Sequence, residues 1–222
     1  MTFIRTSINP LKVRYLGTVD YETAWELQCN ILSEVENGEN DCLLILQHSS
    51  IYTAGKRTLK VELPNPTYSK IPVIETNRGG KITWHGPGQL VGYLIVKLVK
   101  PIDILNFVRC TEKALIILCA ELGLNTKQIK GRSGVWTTNK IKSLQCKVAA
   151  IGIRISRTIT SHGFALNCDC DLSAYSYIIP CGISDAGVTS LSEELKFHIK
   201  VNSLVKKVAD IICNNFCKYI AK

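Results

Sequence analysis

The sequence predicts an α+β fold, a mixed β-sheet packed against helices, and three observations carry that prediction. Strand-sized apolar segments cluster along the chain instead of alternating regularly with helices. Long stretches with helical periodicity stand between the clusters. The 222 residues are 46% hydrophobic and 20% charged, which is enough to bury one core and suggests one domain. The pattern favours a sheet with helices on one side over a βαβ repeat.

Val13–Leu16 reads as an early strand. Tyr21–Glu36 reads as a helix, capped by Asp20 and stopped by Asn37-Gly38. Cys42–Gln47 is a buried strand, and Pro64, Pro66 and Pro72 mark a loop before the strand Val73–Thr76. Tyr93–Leu98 is a further strand, followed by a helix over Asp103–Leu122 that Gly123 ends. Val148–Ser156 and Thr158–Leu166 read as adjacent strands. Val201–Ile220 closes the chain as an amphipathic helix, with Leu204, Val205, Val208, Ile211, Ile212 and Phe216 inward.

Composition excludes several function classes. No apolar run approaches the ~18 residues that span a bilayer, so no membrane partner is expected. The ten cysteines sit largely in apolar periodic segments and read as reduced, buried hydrophobes. Cys168 and Cys170 form a C-x-C without a second pair at zinc spacing, so no metal site is expected. The net charge is +9, and no acidic residue occurs between Glu121 and Asp169. Lys127, Lys130, Arg132, Lys140, Lys142, Lys147, Arg154 and Arg157 fall in that window, which suits an acidic macromolecular partner or a solvated face. No recognised nucleic-acid motif and no aromatic interleaving accompany the charge, so nucleic acid is not expected.

Two segments carry candidate chemistry. Arg78–Gln89, R-G-G-K-I-T-W-H-G-P-G-Q, gathers four glycines and Pro87 around His85. It reads as a rigid loop shaped around a ligand, or as a glycine-rich turn between strands. It fits neither a Rossmann fingerprint nor a P-loop. Cys181 lies between Pro180 and Gly182 in I-I-P-C-G-I, a loop setting for a nucleophile or a structural thiol. A cation that activates it would be His85 or a lysine of the acid-free window. Lys147, just before the strand Val148–Ser156, is expected at a strand end, while Lys140 and Lys142 read as solvated. His162, in T-S-H-G-F-A-L-N, is a second site histidine or a hydrogen-bonded sheet histidine.

With these segments I-Y-T-A-G at Ile51–Gly55, G-V-W at Gly134–Trp136, K-V-A-A-I-G-I-R-I at Lys147–Ile155 and G-V-T-S-L at Gly187–Leu191 complete a set. In this order and spacing the chain resembles the octanoyltransferases of lipoate biosynthesis (lipoyl/octanoyl transferases), nearest their eukaryotic members known as lipoyltransferase 2. The resemblance implies the biotin/lipoyl protein ligase-like fold. It implies transfer of octanoyl from acyl carrier protein to a lysine of lipoyl domains, in the 2-oxoacid dehydrogenase complexes and the glycine cleavage H protein. It places a catalytic pair on Cys181 and Lys147, through an acyl-cysteine intermediate. It assigns acyl binding to Arg78, Gly79, Gly80, Lys81, Ile82, Thr83, Trp84 and His85, to Ala150, Ile151 and Gly152, and to Gly163, Phe164 and Ala165. It implies no cofactor beyond the donor's 4′-phosphopantetheine arm, no ATP, and a mitochondrial location. Residues 1–12 are then a short basic N-terminal segment and 13–222 one catalytic domain. Trp84 and Leu94 depart from the family's usual Tyr or Phe and Pro, and the change at Trp84 bears on the shape of the acyl pocket. The rivals are an ATP-dependent lipoate–protein ligase, an amidotransferase that moves octanoyl between proteins, and a Cys–His hydrolase.

Overall fold

The computed structural model describes residues 4–65, 67–139, 144–179, 182 and 185–217. The main sheet has eight strands. Its members are β1 (Lys12–Thr18), β2 (Cys42–Gln47), β6 (Gln89–Ile95), β7 (Lys127–Ile129), β8 (Arg132–Asn139), β9 (Leu144–Ser156), β10 (Ile159–Asn167) and the short β11 (Gly187–Val188). They run in the order β1-β2-β6-β10-β9-β8-β7, with β11 beside β9. β1 joins β2 in parallel, and β2, β6, β10, β9, β8 and β7 pair antiparallel. A small sheet of β3 (Ile51–Ala54), β4 (Val73–Glu75) and β5 (Thr83–His85) carries the glycine-rich segment. The sheet is therefore mixed, as the sequence predicts.

The helices do not lie on one side. α1 (Tyr21–Glu36) packs Ala24, Ile31 and Val35 against Leu44, Leu46, Val91 and Tyr93. α2 (Ile104–Glu121) and α4 (Val201–Cys217) pack against Leu43, Ile45, Leu90 and Leu94. Successive strand residues point to opposite faces, so these sets lie on the two sides of one sheet. The reason is visible in β2, where Leu43, Leu44, Ile45 and Leu46 are all fully buried. A strand without alternation needs cover on both faces. The short α3 (Leu191–Leu195) follows β11.

Several boundaries differ from the sequence reading. Asp20 caps α1, as expected, and Asp103, where the sequence reading starts the next helix, caps α2 instead; each accepts a backbone N–H. The glycine-rich segment is not all loop, because Thr83–His85 and Gln89 onward are strand, which leaves Arg78–Ile82 and the Gly86–Gly88 corner outside the strands. β9 starts at Leu144, so Lys147 lies inside a strand and not at its end. Burial along the strand begins at Cys146 and Lys147, ahead of the hydrophobic run from Val148. Lys140 and Lys142 lie outside the described residues. Ile4 and Leu11 join the core, and Arg5, fully buried, donates to Asp41 at 2.8 Å. The described part of the basic N-terminal segment thus packs onto the rest of the chain.

Candidate active site

A cleft of about 210 Å³ opens on the α1 face of the main sheet. That is below the ~300–1,000 Å³ typical of drug-sized ligands, and it suits a slender one. Its floor follows from strand register. Gly163 of β10 stands opposite Tyr93 of β6 and Gly152 of β9. Ala165 stands opposite Val91 and Ala150 in the next row on the same face. Two glycines and two alanines therefore occupy the centre, where ordinary strand residues would fill the space with side chains. On the reverse face Phe164 and Leu166 join the main core. A Cβ on Gly163 would come within 2.1 Å of the Gly92 carbonyl oxygen, so no larger residue fits without movement.

The wall of the cleft comes from the segment before β5. Arg78 is buried, and its guanidinium donates to the Thr53 carbonyl oxygen at 2.5 Å and the Gly79 carbonyl oxygen at 3.0 Å. The Gly79 N–H donates to the Ile153 carbonyl oxygen at 3.1 Å, which pins the loop to β9. Thr83 and His85 face the cleft. Ile82 and Trp84 do not, since both pack in a separate cluster with Tyr52, Tyr175 and Ile178. Trp84 also donates its indole N–H to Ser50 Oγ at 2.8 Å. Ile151 and Phe164 border the cleft through backbone, with their side chains on the other face.

Lys147 lines the cleft and is only 6% exposed. Its Nζ lies 4.8 Å from the centroid of the buried Trp136 ring. Among the described residues no carboxylate pairs with it. Gly134 makes room for its stem: φ there is +119°, and a Cβ would come within 2.6 Å of the Ala149 carbonyl oxygen and 3.3 Å of Lys147 Cε. The Gly134 N–H donates to Glu112 Oε1 at 2.8 Å, and Glu112 is fully buried and paired with Arg109. The G-V-W segment thus shapes the seat of the lysine.

Cys181 lies outside the described residues. Its chain neighbour Gly182 sits against Lys81 at the cleft, where an added Cβ would come within 2.2 Å of Lys81 Cδ. Lys81 pairs with Glu62, and Arg132, also on the rim, pairs with Asp185 at 2.5 Å. Arg57 adds a third rim cation.

A directional hydrogen-bond chain runs behind the cleft. β10 leaves β9 after Leu166 and Ala149, and β11 takes the vacated edge beside Cys146 and Lys147. The Thr189 N–H donates to the Lys147 carbonyl oxygen at 3.0 Å. The Thr189 carbonyl can only accept, so Asn167 Nδ2 donates to it, at 2.9 Å. Asn167 Oδ1 then accepts from Gln89 Nε2 at 2.9 Å, and Gln89 Oε1 faces His85 Nδ1 at 2.7 Å. His85 therefore carries its proton on Nδ1. Asn167 and Gln89 escaped the sequence reading although both stand in quoted segments, because an amide has no charge or reactivity to mark it. Tyr21 and Tyr93, which also line the cleft, were read only as helix and strand residues.

The imidazoles near the cleft are neutral. Burial lowers the His48 pKa to about 4. Burial, and then nearby His48 and Arg78, lower His85 to about 3. Burial and Arg78 lower His162 to about 3. His162 stacks on Trp25 with centroids 5.0 Å apart, and its Nε2 meets Asn77 Oδ1 at 3.0 Å. It is thus both of its sequence alternatives, a hydrogen-bonded sheet histidine and a residue lining the cleft.

Comparison with known proteins follows the same lines. The family described as lipoyl protein ligase A/B catalytic domain matches residues 20–213. An octanoyltransferase of Mycobacterium leprae is 54% identical over 212 residues, covering 96% of this chain and 90% of that protein. A lipoate-protein ligase A bound with ATP superposes with a TM-score of 0.70 at 14% identity, over 95% of this chain and 85% of the other. A bipartite lipoate protein ligase from Thermoplasma acidophilum, solved in a study of that ligase and its E2 lipoyl domain, gives a TM-score of 0.66 at 15% identity. There 95% of this chain and 83% of the other are covered. At these identities the two solved structures speak to the fold alone.

Two outcomes test the site's construction. Asn167→Asp keeps an acceptor for Gln89 but loses the donor to Thr189, so it is expected to cost about 1–3 kcal/mol in urea denaturation. Unchanged stability would contradict the chain. The histidines make stability depend on pH. Below their unfolded pKa of 6.5 the unfolded chain takes up protons that folded His48, His85 and His162 refuse. Stability is therefore level above about pH 6.5 and falls as pH drops towards about 4, by up to ~1.4 kcal/mol per unit for each group. Urea midpoints between those limits check this, and His48→Gln should flatten the slope.

Proposed function

The chain belongs to the lipoyl protein ligase A/B catalytic family as an octanoyltransferase of lipoate biosynthesis, and we propose that it acts through an acyl-cysteine on Cys181 paired with Lys147. The observation that carries the pair is the placement of Lys147. A lysine ammonium buried in a cleft, over an indole face and with no carboxylate among the described residues, suits an anionic partner.

In the first step the Cys181 proton resides on Lys147, and the thiolate attacks the carbonyl carbon of the octanoyl thioester. The bond from that carbon to the pantetheine sulfur breaks, and the departing thiolate takes the proton from Lys147. In the second step the neutral amine of the target lysine attacks the acyl-cysteine. The carbon–sulfur bond to Cys181 breaks, and the amine's proton returns to the cysteine through Lys147. The octanoyl group passes from one thioester to another and then to an amide, so no ATP or other cofactor enters the balance. The small-residue floor receives the hydrocarbon chain at about 0.8 kcal/mol per buried methylene.

The partners proposed are octanoyl acyl carrier protein as donor and lipoyl domains as acceptors, among them those of 2-oxoacid dehydrogenase complexes and the glycine cleavage H protein. Arg57, Lys81 and Arg132 on the rim suit acidic carriers and a phosphate-bearing arm. A mitochondrial location is proposed on the resemblance to eukaryotic members. A tagged chain that stays outside mitochondria in a eukaryotic cell would overturn it.

Intact-protein mass spectrometry after mixing with octanoyl acyl carrier protein tests the pair. A single octanoyl adduct is expected on the unaltered chain, absent from Cys181→Ala and strongly slowed in Lys147→Ala. No adduct on a folded protein given a competent donor would favour an ATP-dependent ligase instead.

A further inference from the structure

The cleft floor crosses the sheet instead of following a strand. One register row runs from Gly152 on β9 through Gly163 on β10 to Tyr93 on β6. At the β9 side stand Lys147 and, from β8 and its turn, Gly131, Arg132 and Ser133. At the β6 side stands the first large side chain of the row, Tyr93. From β9 to β6 is two strand spacings, or about 10 Å. An extended eight-carbon acyl chain, with bonds of ~1.5 Å in a zigzag, reaches about 9 Å. The bare part of the row matches one such chain laid across it.

Tyr93 is fixed in place, as a wall must be. It is 4% exposed, and His48 behind it is fully buried. The Val19 carbonyl only accepts, so His48 Nδ1 carries the proton and donates to it at 2.8 Å. His48 Nε2 is then the acceptor for the Tyr93 hydroxyl, at 2.6 Å. Burial keeps the imidazole neutral and the phenol protonated, so this arrangement holds at neutral pH. Tyr21 and His85 close the sides, their rings 6.5 Å apart and nearly parallel. A longer chain would have to displace a ring whose hydroxyl is hydrogen-bonded in the core.

We propose that Tyr93, held by His48, is the far wall of the acyl site and sets the acyl length at about eight carbons. The orientation, with the thioester at the Lys147 end, rests on the Cys181–Lys147 reading. Tyr93 is a specificity-determining residue here and takes no part in bond making.

The test uses the full chain with acyl carrier protein loaded with hexanoyl, octanoyl, decanoyl or dodecanoyl groups, and a lipoyl domain as acceptor. The readout is the acyl-lysine amide. The unaltered chain is expected to lose kcat/KM sharply beyond octanoyl. Tyr93→Val should raise the decanoyl-to-octanoyl ratio by about tenfold, the worth of two newly buried methylenes. Tyr93→Phe should keep the ratio of the unaltered chain, because the ring and not the hydroxyl stops the acyl group. A folded Tyr93→Val with an unchanged ratio would overturn the proposal, as would equal use of dodecanoyl and octanoyl by the unaltered chain. If Tyr93→Val does not fold, Ala165→Val adds bulk to the neighbouring row and should shift preference to hexanoyl. No shift there would also overturn the proposal. Because the ratio is read on the amide, a missing Cys181 adduct would remove the acyl-cysteine reading and leave the length measurement interpretable.

Discussion

The site depends on a pair of buried amides. Gln89 and Asn167 face each other across β6 and β10, and their single hydrogen bond of 2.9 Å sets the direction of every bond on either side. On one side it fixes the His85 tautomer. On the other it reaches Thr189, whose N–H meets the Lys147 carbonyl oxygen. Strand β11 contributes only two residues, too few to hold an edge by itself. Asn167, through its bond to the Thr189 carbonyl, is what makes that edge definite. Inside a protein such a network stabilises only when every member is satisfied, and here the donors and acceptors close in sequence.

The second constraint is the division of labour across the sheet. β6, β10 and β9 give one face to the α2–α4 core and the other to the cleft. Phe164 and Leu166 supply the bulk on the core side, while Gly163 and Ala165 leave the opposite side bare. Arg78 adds the electrostatic counterpart. Its charge, buried beside the floor, helps to keep His85 and His162 uncharged, so the rings of the inner cleft stay neutral. That leaves an apolar bed with positive charge at Arg78, at Lys147 and around the rim.

Much of this was legible in the residues. The Asp20 cap, the class of fold and several of the segments that converge on the cleft could be read, because capping and periodicity are local signals. Lys147 was found by its neighbourhood and misplaced by its geometry, since a strand beginning at Leu144 has too little early hydrophobicity to announce itself. β8 was missed for a similar reason: R-S-G-V-W-T-T-N looks like a turn until Gly134 is seen giving way to a lysine stem. The inward set of Arg78–His85 was over-assigned. Alternation along β5 turns Thr83 and His85 to the cleft and sends Trp84 to a different cluster, so its departure from the family's usual Tyr or Phe leaves the floor untouched. The amide pair was invisible because its partners lie 78 residues apart, and only the register brings them together.

The opposed glycines at 152 and 163 have a consequence for the protein as a material. A sheet centre normally draws part of its stiffness from side chains that press on their cross-strand neighbours. Here that press is missing at one spot, directly between two buried layers. An acyl chain lying there would make the contacts that absent side chains do not, so substrate becomes a removable piece of hydrophobic core. In the proposed acyl site, turnover would alternately complete and empty the packing of the domain, and the loaded enzyme would be the more stable form.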